Sequence, residues 1–375
     1  MGSRSHPAVG TEQPLTGPQV VTQMAEANGG AQLQSNSMQY QVAPVRYFCT
    51  YFDRNYINRA LALYNSLAAC EADFHLFALC MDEEAYCCIL ELALHRMTPV
   101  SLACLEKDNP ELFAAKKQRS QIEYYYTCGP SFLLYVLYHN PQIDVVTYLD
   151  ADLFFFSTPE PIFGELAESS VGIVAHRFPV GKESLNRFGT FNVGWVSFRA
   201  DGAGMACLRW WADRCIEWCY DRVEVNRFAD QKYLDEFPQR FESVRVIQHK
   251  GANLAPWNLA RHAITRSEGR IWVDDQPLIF FHFHGFKVLT SWLFDTNLGG
   301  YGWRPSRLVR QHIFGHYIRA LTSRHDSYVS AINLRELSRN ESRGYGALAR
   351  SVRRGVQIGL ALLRNAYIID WNAGR

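Results

Sequence analysis

The sequence predicts an α/β fold with a mainly parallel sheet flanked by helices. Three observations carry this. From Val45 onward, short β-branched or aromatic runs alternate with longer stretches of helical periodicity. The cleanest apolar run, Val145–Leu149, ends abruptly in Asp150-Ala151-Asp152. And 375 residues with 48% hydrophobic and 14% aromatic content can bury a large core.

Residues 1–44 are rich in Gly, Gln, Ser, Pro and Ala without apolar periodicity, so they read as a disordered tail. Strands are expected at 46–50, 74–80, 100–105 and 145–149, with helices at 57–69 and 83–95 between them. Pro130 is expected to open a helix that Asn140-Pro141 closes. Further strands follow at 171–175, 193–198, 244–248 and 278–283. Residues 205–220 carry Leu208, Trp211, Cys215 and Trp218 at helical spacing, a core-packed face. Residues 291–375 read as a mainly helical C-terminal region.

Charge narrows the function. Lys and Arg number 38 against 37 Asp and Glu, so no bulk electrostatics point to nucleic acid. The ten cysteines form no C-x-x-C pair and sit mostly in apolar runs, which fits reduced core thiols in a cytoplasmic setting. The N-terminus lacks the apolar stretch of a secretory signal, and no run of about 18 apolar residues spans a bilayer.

The chemistry concentrates after the Val145–Leu149 strand. Ligands of open α/β sheets bind beyond the carboxyl ends of the strands, where Asp150 and Asp152 stand. Positions i and i+2 of extended chain face the same side, so both carboxylates can converge on a hard divalent cation and its phosphate ligands. A turn cap at Asp150 beside a solvated Asp152 is the plainer alternative.

Tyr148-Leu149-Asp150-Ala151-Asp152-Leu153-Phe154-Phe155 resembles the Asp-x-Asp segment of GT-A fold, Rossmann-like, glycosyltransferases, most closely glycosyltransferase family 8, the group of glycogenin and bacterial lipopolysaccharide galactosyltransferases. Asp53-Arg54-Asn55-Tyr56, Phe191-Asn192-Val193-Gly194, Asp230-Gln231, Pro256-Trp257-Asn258 and Phe281-His282-Phe283-His284-Gly285 resemble further landmarks of that family in the same order. The resemblance implies a GT-A catalytic domain over 45–290 and a UDP-sugar donor, its base near Thr50, Tyr51 and Asp53 with Tyr56 supporting that loop. It implies Mn²⁺ or Mg²⁺ held by Asp150, Asp152 and His282, with Asp150 alternatively on the ribose and His284 the runner-up to His282. It places Asn192 and Asp230 on sugar hydroxyls and Gln231 beside the anomeric carbon. Phe286-Lys287-Val288 departs from the family's Lys-Pro-Trp, leaving Lys287 as a phosphate contact in a shifted register. The family's donor-binding arginine has no clear counterpart; Lys116, Lys117 and Arg119 are the nearby cations.

Two other functions fit parts of the pattern: a metal-dependent hydrolase using His282, His284, Asp150 and Asp152, or a glycosidase pair of Asp150 and Asp230, and a catalytically silent nucleotide-sugar-binding protein. The acceptor expected is a glycan or a lipid-linked saccharide. Residues 345–369 read as an amphipathic helix with an arginine face, able to pack on the domain or to touch a membrane peripherally.

Overall fold

The computed structural model describes residues 44–70, 73–322 and 367–369. Its centre is a seven-stranded sheet in the order β3-β2-β1-β4-β7-β6-β8. The strands are β1 Arg46–Phe52, β2 Phe74–Cys80, β3 Met97–Ser101, β4 Val145–Leu149, β6 Val171–Ala175, β7 Phe191–Arg199 and β8 Val244–Ile247, while β5, Leu153–Phe155, lies outside this sheet. Strand β7 alone runs against its neighbours, β4 and β6; the other adjacent pairs are parallel. The predicted α/β class with a mainly parallel sheet is therefore the observed one.

Alternation along β1 sorts its side chains onto two faces. Phe48 and Phe52 bury against Ile57, Ala60, Leu63 and Leu67 of the Ile57–Ala69 helix. Cys49 joins the opposite cluster with Cys128, Phe132 and Leu133 of the Gln121–His139 helix, and Tyr51 packs against it. A third apolar cluster, including Phe281, Phe283, Phe286, Phe294, Phe314 and Tyr317, packs the segments on either side of residue 290 together.

Four local expectations need correction. The third strand begins at Met97, not 100, and Leu102–Asp108 is helical because the Ser101 hydroxyl accepts from the Cys104 amide and caps it. Pro130 does not open its helix: Ser120, ten residues earlier, forms a capping box with Glu123, and Pro130 lies buried inside. The second helix stops at Leu92, where Ala93 turns left-handed with φ 43°. The helix expected over 345–369 falls mostly outside the described residues, but Tyr367–Ile369 is a strand paired antiparallel with Leu293–Asp295.

All ten cysteines are free thiols. No helix among the described residues is long and apolar enough to cross a membrane.

Candidate active site

The chain leaves β1 toward β2 and β3 on one side and returns to β4 on the other, so strand order reverses between β1 and β4. That switch opens a crevice at the carboxyl ends of the two strands. Tyr51 stands at the end of β1 and Asp150 just past β4, their neighbourhood joined by the Tyr51 and Tyr148 rings at 5.5 Å. The Tyr148 hydroxyl donates to Asp150 Oδ1 at 2.8 Å and fixes that carboxylate.

A second piece of backbone brings the histidine. Strand β5 pairs antiparallel with Phe280–His282, setting Leu153 opposite His282, and the Phe283 amide donates to the Asp152 carbonyl at 3.0 Å. The His282 Nε2 consequently lies 3.1 Å from Asp152 Oδ1 and 3.5 Å from Asp150 Oδ2. Among the described residues, Asp150, Asp152 and His282 form the one group of three able to hold a metal ion, their ligand atoms all within 4.8 Å of one another. His284 faces the same cavity without joining that group.

The imidazole's orientation is fixed from behind. Opposite β6, β7 bulges between Asn192 and Val196. Asn192 Oδ1 accepts the Gly194 amide at 3.1 Å and faces His282 Nδ1 at 3.2 Å. The shared oxygen is an acceptor, so Nδ1 carries the proton and Nε2 is the atom turned to the carboxylates. Burial pulls the His282 pKa down, but Asp152 and Asp150 outweigh it and the net shift is upward. Burial raises Asp150 against the opposing pull of His282, whereas at Asp152 the imidazole's charge and hydrogen bond overcome burial and lower it. Two carboxylates and one imidazole nitrogen, converged and partly shielded from water, fit a divalent cation of borderline hardness.

Beside this group lies a cavity of about 460 Å³, lined among others by Tyr51, Asp150, Asn192, Asp230, Gln231 and His282. Its size falls in the range of small-molecule sites, roughly 300–1,000 Å³. Asn192 Nδ2 donates to Gln231 Oε1 at 3.0 Å, and Gln231 Nε2 donates to the Phe188 carbonyl at 2.9 Å. The Asp230 carboxyl is buried and pushed up to about 8 by desolvation and by the charge of Asp150. The Trp257 indole donates to the His176 carbonyl at 2.9 Å, which Asn258 Nδ2 also meets at 2.9 Å, and the Trp257 ring stands 5.1 Å from the His282 ring.

The other candidates do not line this cavity. Thr50 is fully buried on the Phe48 and Phe52 side of β1, away from Tyr51. Asp53 accepts from the Asn55 amide and side chain, both at 3.0 Å, and so closes its own turn. Tyr56 carries the Arg59 guanidinium over its ring at 4.3 Å. None of these, nor Lys287 in a short exposed strand, lines the cavity. Lys116 pairs with Glu106 at 2.6 Å, and Arg119 stacks 4.0 Å over Tyr220. His176 and Tyr126 escape the sequence reading, each a lone residue whose place in the site depends on which face of an element it occupies, and Tyr148 enters that reading only as part of the Asp-x-Asp segment, without a role of its own. A larger cleft of about 740 Å³ beside Trp210 and Tyr233 contains no such cluster; its Arg214, Arg227 and Arg240 pair with Glu217, Glu224 and Glu236.

No protein-family profile matches the chain. It is 37% identical over 253 residues to the uncharacterized protein YfnF of Bacillus subtilis (strain 168), covering 65% of this chain and 82% of that protein. It is 34% identical over 248 residues to YfnD of the same organism, covering 65% and 79%. The chain belongs to the family of these two proteins. Among solved structures it is similar to the galactosyltransferase LgtC in complex with donor and acceptor sugar analogs, at 17% identity and TM-score 0.44 over 66% of this chain and 89% of that one. It is similar also to mouse xyloside xylosyltransferase 1, at 12% identity and TM-score 0.41 over 64% and 98%.

Proposed function

We propose that the chain is a GT-A type, metal-dependent glycosyltransferase that moves a hexose from a nucleotide sugar, a UDP-sugar, to a saccharide or lipid-linked acceptor with retention of configuration. The observation that carries this reading is the convergence of Asp150, Asp152 and His282 at the edge of a cavity that also holds Asn192, Asp230 and Gln231. A nucleoside diphosphate leaves poorly until its developing charge is neutralised. A divalent cation held by Asp150, Asp152 and His282 would neutralise that charge as a Lewis acid, and the imidazole favours Mn²⁺ over Mg²⁺.

The chain's own residues do the rest. Asn192 holds the His282 ring with Nε2 forward. Desolvation and the neighbouring Asp150 raise the Asp230 carboxyl to about 8, which favours a protonated group donating to a sugar hydroxyl. Gln231, bonded at both ends of its amide, is a fixed wall beside the place for the anomeric carbon. Trp257 shields the histidine side from water. The Asp230-Gln231 pair, which resembles that of a retaining family, supports retention over inversion. A hydrolase reading is weaker, because His284 stands outside the metal-holding group.

Release of UDP from UDP-glucose and UDP-galactose, with Mn²⁺ and with EDTA, tests the reading. Slow release that requires the metal supports it. Cleavage of simple glycosides without nucleotide favours the hydrolase.

A further inference from the structure

The Asp150 carboxylate reaches the metal-holding group with one of its two oxygens already taken. Tyr148 and Asp150 stand at alternate positions across the end of β4, so their side chains leave the same face. The Tyr148 hydroxyl donates to Asp150 Oδ1 at 2.8 Å, and it is the other oxygen, Oδ2, that stands 3.5 Å from His282 Nε2.

Both ends of this contact are held. Tyr148 is 1% exposed, lies in register between Cys49 of β1 and Val196 of β7, and packs its ring 5.5 Å from that of Tyr51. A hydroxyl buried this deeply has little water to turn to, so it stays on the carboxylate. The Asp150 main chain is tied as well. Its amide donates to the Gly194 carbonyl at 3.3 Å, and its carbonyl accepts the Leu153 amide at 3.2 Å. Presenting both carboxylate oxygens to an ion therefore means giving up the Tyr148 bond.

Such a restriction bears on which ion fits. Mn²⁺ and Mg²⁺ suit octahedral sites, whereas the larger Ca²⁺ takes about 6–8 oxygens and readily chelates a carboxylate through both of its oxygens. Discrimination between such ions rests on ligand number and flexibility. We infer that Tyr148 is a positioning residue that limits Asp150 to one metal-ligating oxygen, Oδ2, and thereby biases the site toward a small octahedral cation over Ca²⁺. This rests on the metal-dependent reading above and adds to it the residue that sets the choice of ion.

The test compares Mn²⁺ and Ca²⁺ binding by the full chain and by Tyr148→Phe, which removes the hydroxyl and keeps the ring. Electron paramagnetic resonance reads free Mn²⁺, and Ca²⁺ is read by its displacement of bound Mn²⁺. The expected result is a ratio of Mn²⁺ to Ca²⁺ affinity about ten-fold lower in the variant, with Ca²⁺ binding gained. A ratio unchanged or raised, or one that falls through loss of Mn²⁺ alone, overturns the inference while leaving the metal-dependent reading in place. Infrared difference spectroscopy of the wild type gives a second readout that does not depend on the variant's folding. The separation of the carboxylate stretches that vanish in Asp150→Asn is expected to be that of a monodentate ligand with Mn²⁺ bound; a bidentate separation overturns the inference equally. Failure of the wild type to take up Mn²⁺, with or without UDP, overturns both the inference and the metal-dependent reading.

Discussion

Gly194 lies so close to His282 that a β-carbon at position 194 would fall 2.9 Å from the imidazole Nδ1, and 2.6 Å from Asn192 Oδ1. The bulge in β7 makes this approach, and the Gly194 amide is one of the two groups that hold the Asn192 oxygen in place. A methyl group has to displace one partner of the Asn192–His282 hydrogen bond. Gly194→Ala is therefore expected to cost about 1–3 kcal/mol of stability and to weaken Mn²⁺ binding about ten-fold or more. Thermal denaturation and calorimetry read the two effects separately. Unchanged Mn²⁺ affinity would show that the ring does not depend on this packing.

Asp152→Ala and His282→Ala are each expected to lower metal-dependent UDP release about a hundred-fold or more with the circular dichroism spectrum unchanged. His284→Ala serves as the comparison, because its ring lines the cavity outside the metal-holding group. A larger loss at His284 than at His282 reverses that assignment.

Asp230 makes stability depend on pH. Its folded-state carboxyl is raised from the ordinary 3.8 to about 8, so folding favours the protonated form. The contribution is fully present below the ordinary carboxylate range and is lost as pH rises through about 8. With EDTA present, Asp230→Asn should be more stable than the wild type by a margin that grows between those limits, by at most about 1.4 kcal/mol per pH unit, and then levels. A margin constant with pH would place the Asp230 carboxyl in the ordinary range. Tm measured across a pH series decides this.

Much of this layout is legible in the sequence because it follows local chemistry. The apolar run Val145–Leu149 ends in two aspartates, and an apolar strand that stops on carboxylates points to a crevice. What is not legible depends on which face packs where. Thr50 and Tyr51 are adjacent, yet period-two alternation turns one under the Ile57–Ala69 helix and the other toward the cavity. Pro130 reads as a helix start, although the earlier Ser120-Gln121-Ile122-Glu123 capping box is itself a start signal. Pro99 argues against a strand, but β3 is at the sheet edge, where a missing amide donor is tolerated. The hairpin joining Ile264–Ser267 to Arg270–Val273 is missed although Glu268-Gly269 at its turn is a readable signal; both residues take positive φ.

Retention is checked by the anomer of the product. With an α-linked UDP-hexose donor, NMR of the isolated glycoside should show the α anomer. A β-linked product requires an ionised base in the cavity, and would move that role to Asp221 or to Asp230 in its charged form.

On the proposed function, Asp150, Asp152 and His282 would hold a divalent cation that binds the diphosphate of a UDP-sugar. Calorimetric titration of the full chain with UDP, with and without Mn²⁺, tests it most directly. The expected result is UDP binding that needs Mn²⁺, exceeds that of GDP and CDP, and disappears in Asp152→Ala and His282→Ala. UDP binding of equal strength in EDTA, or undiminished in both variants, would contradict it.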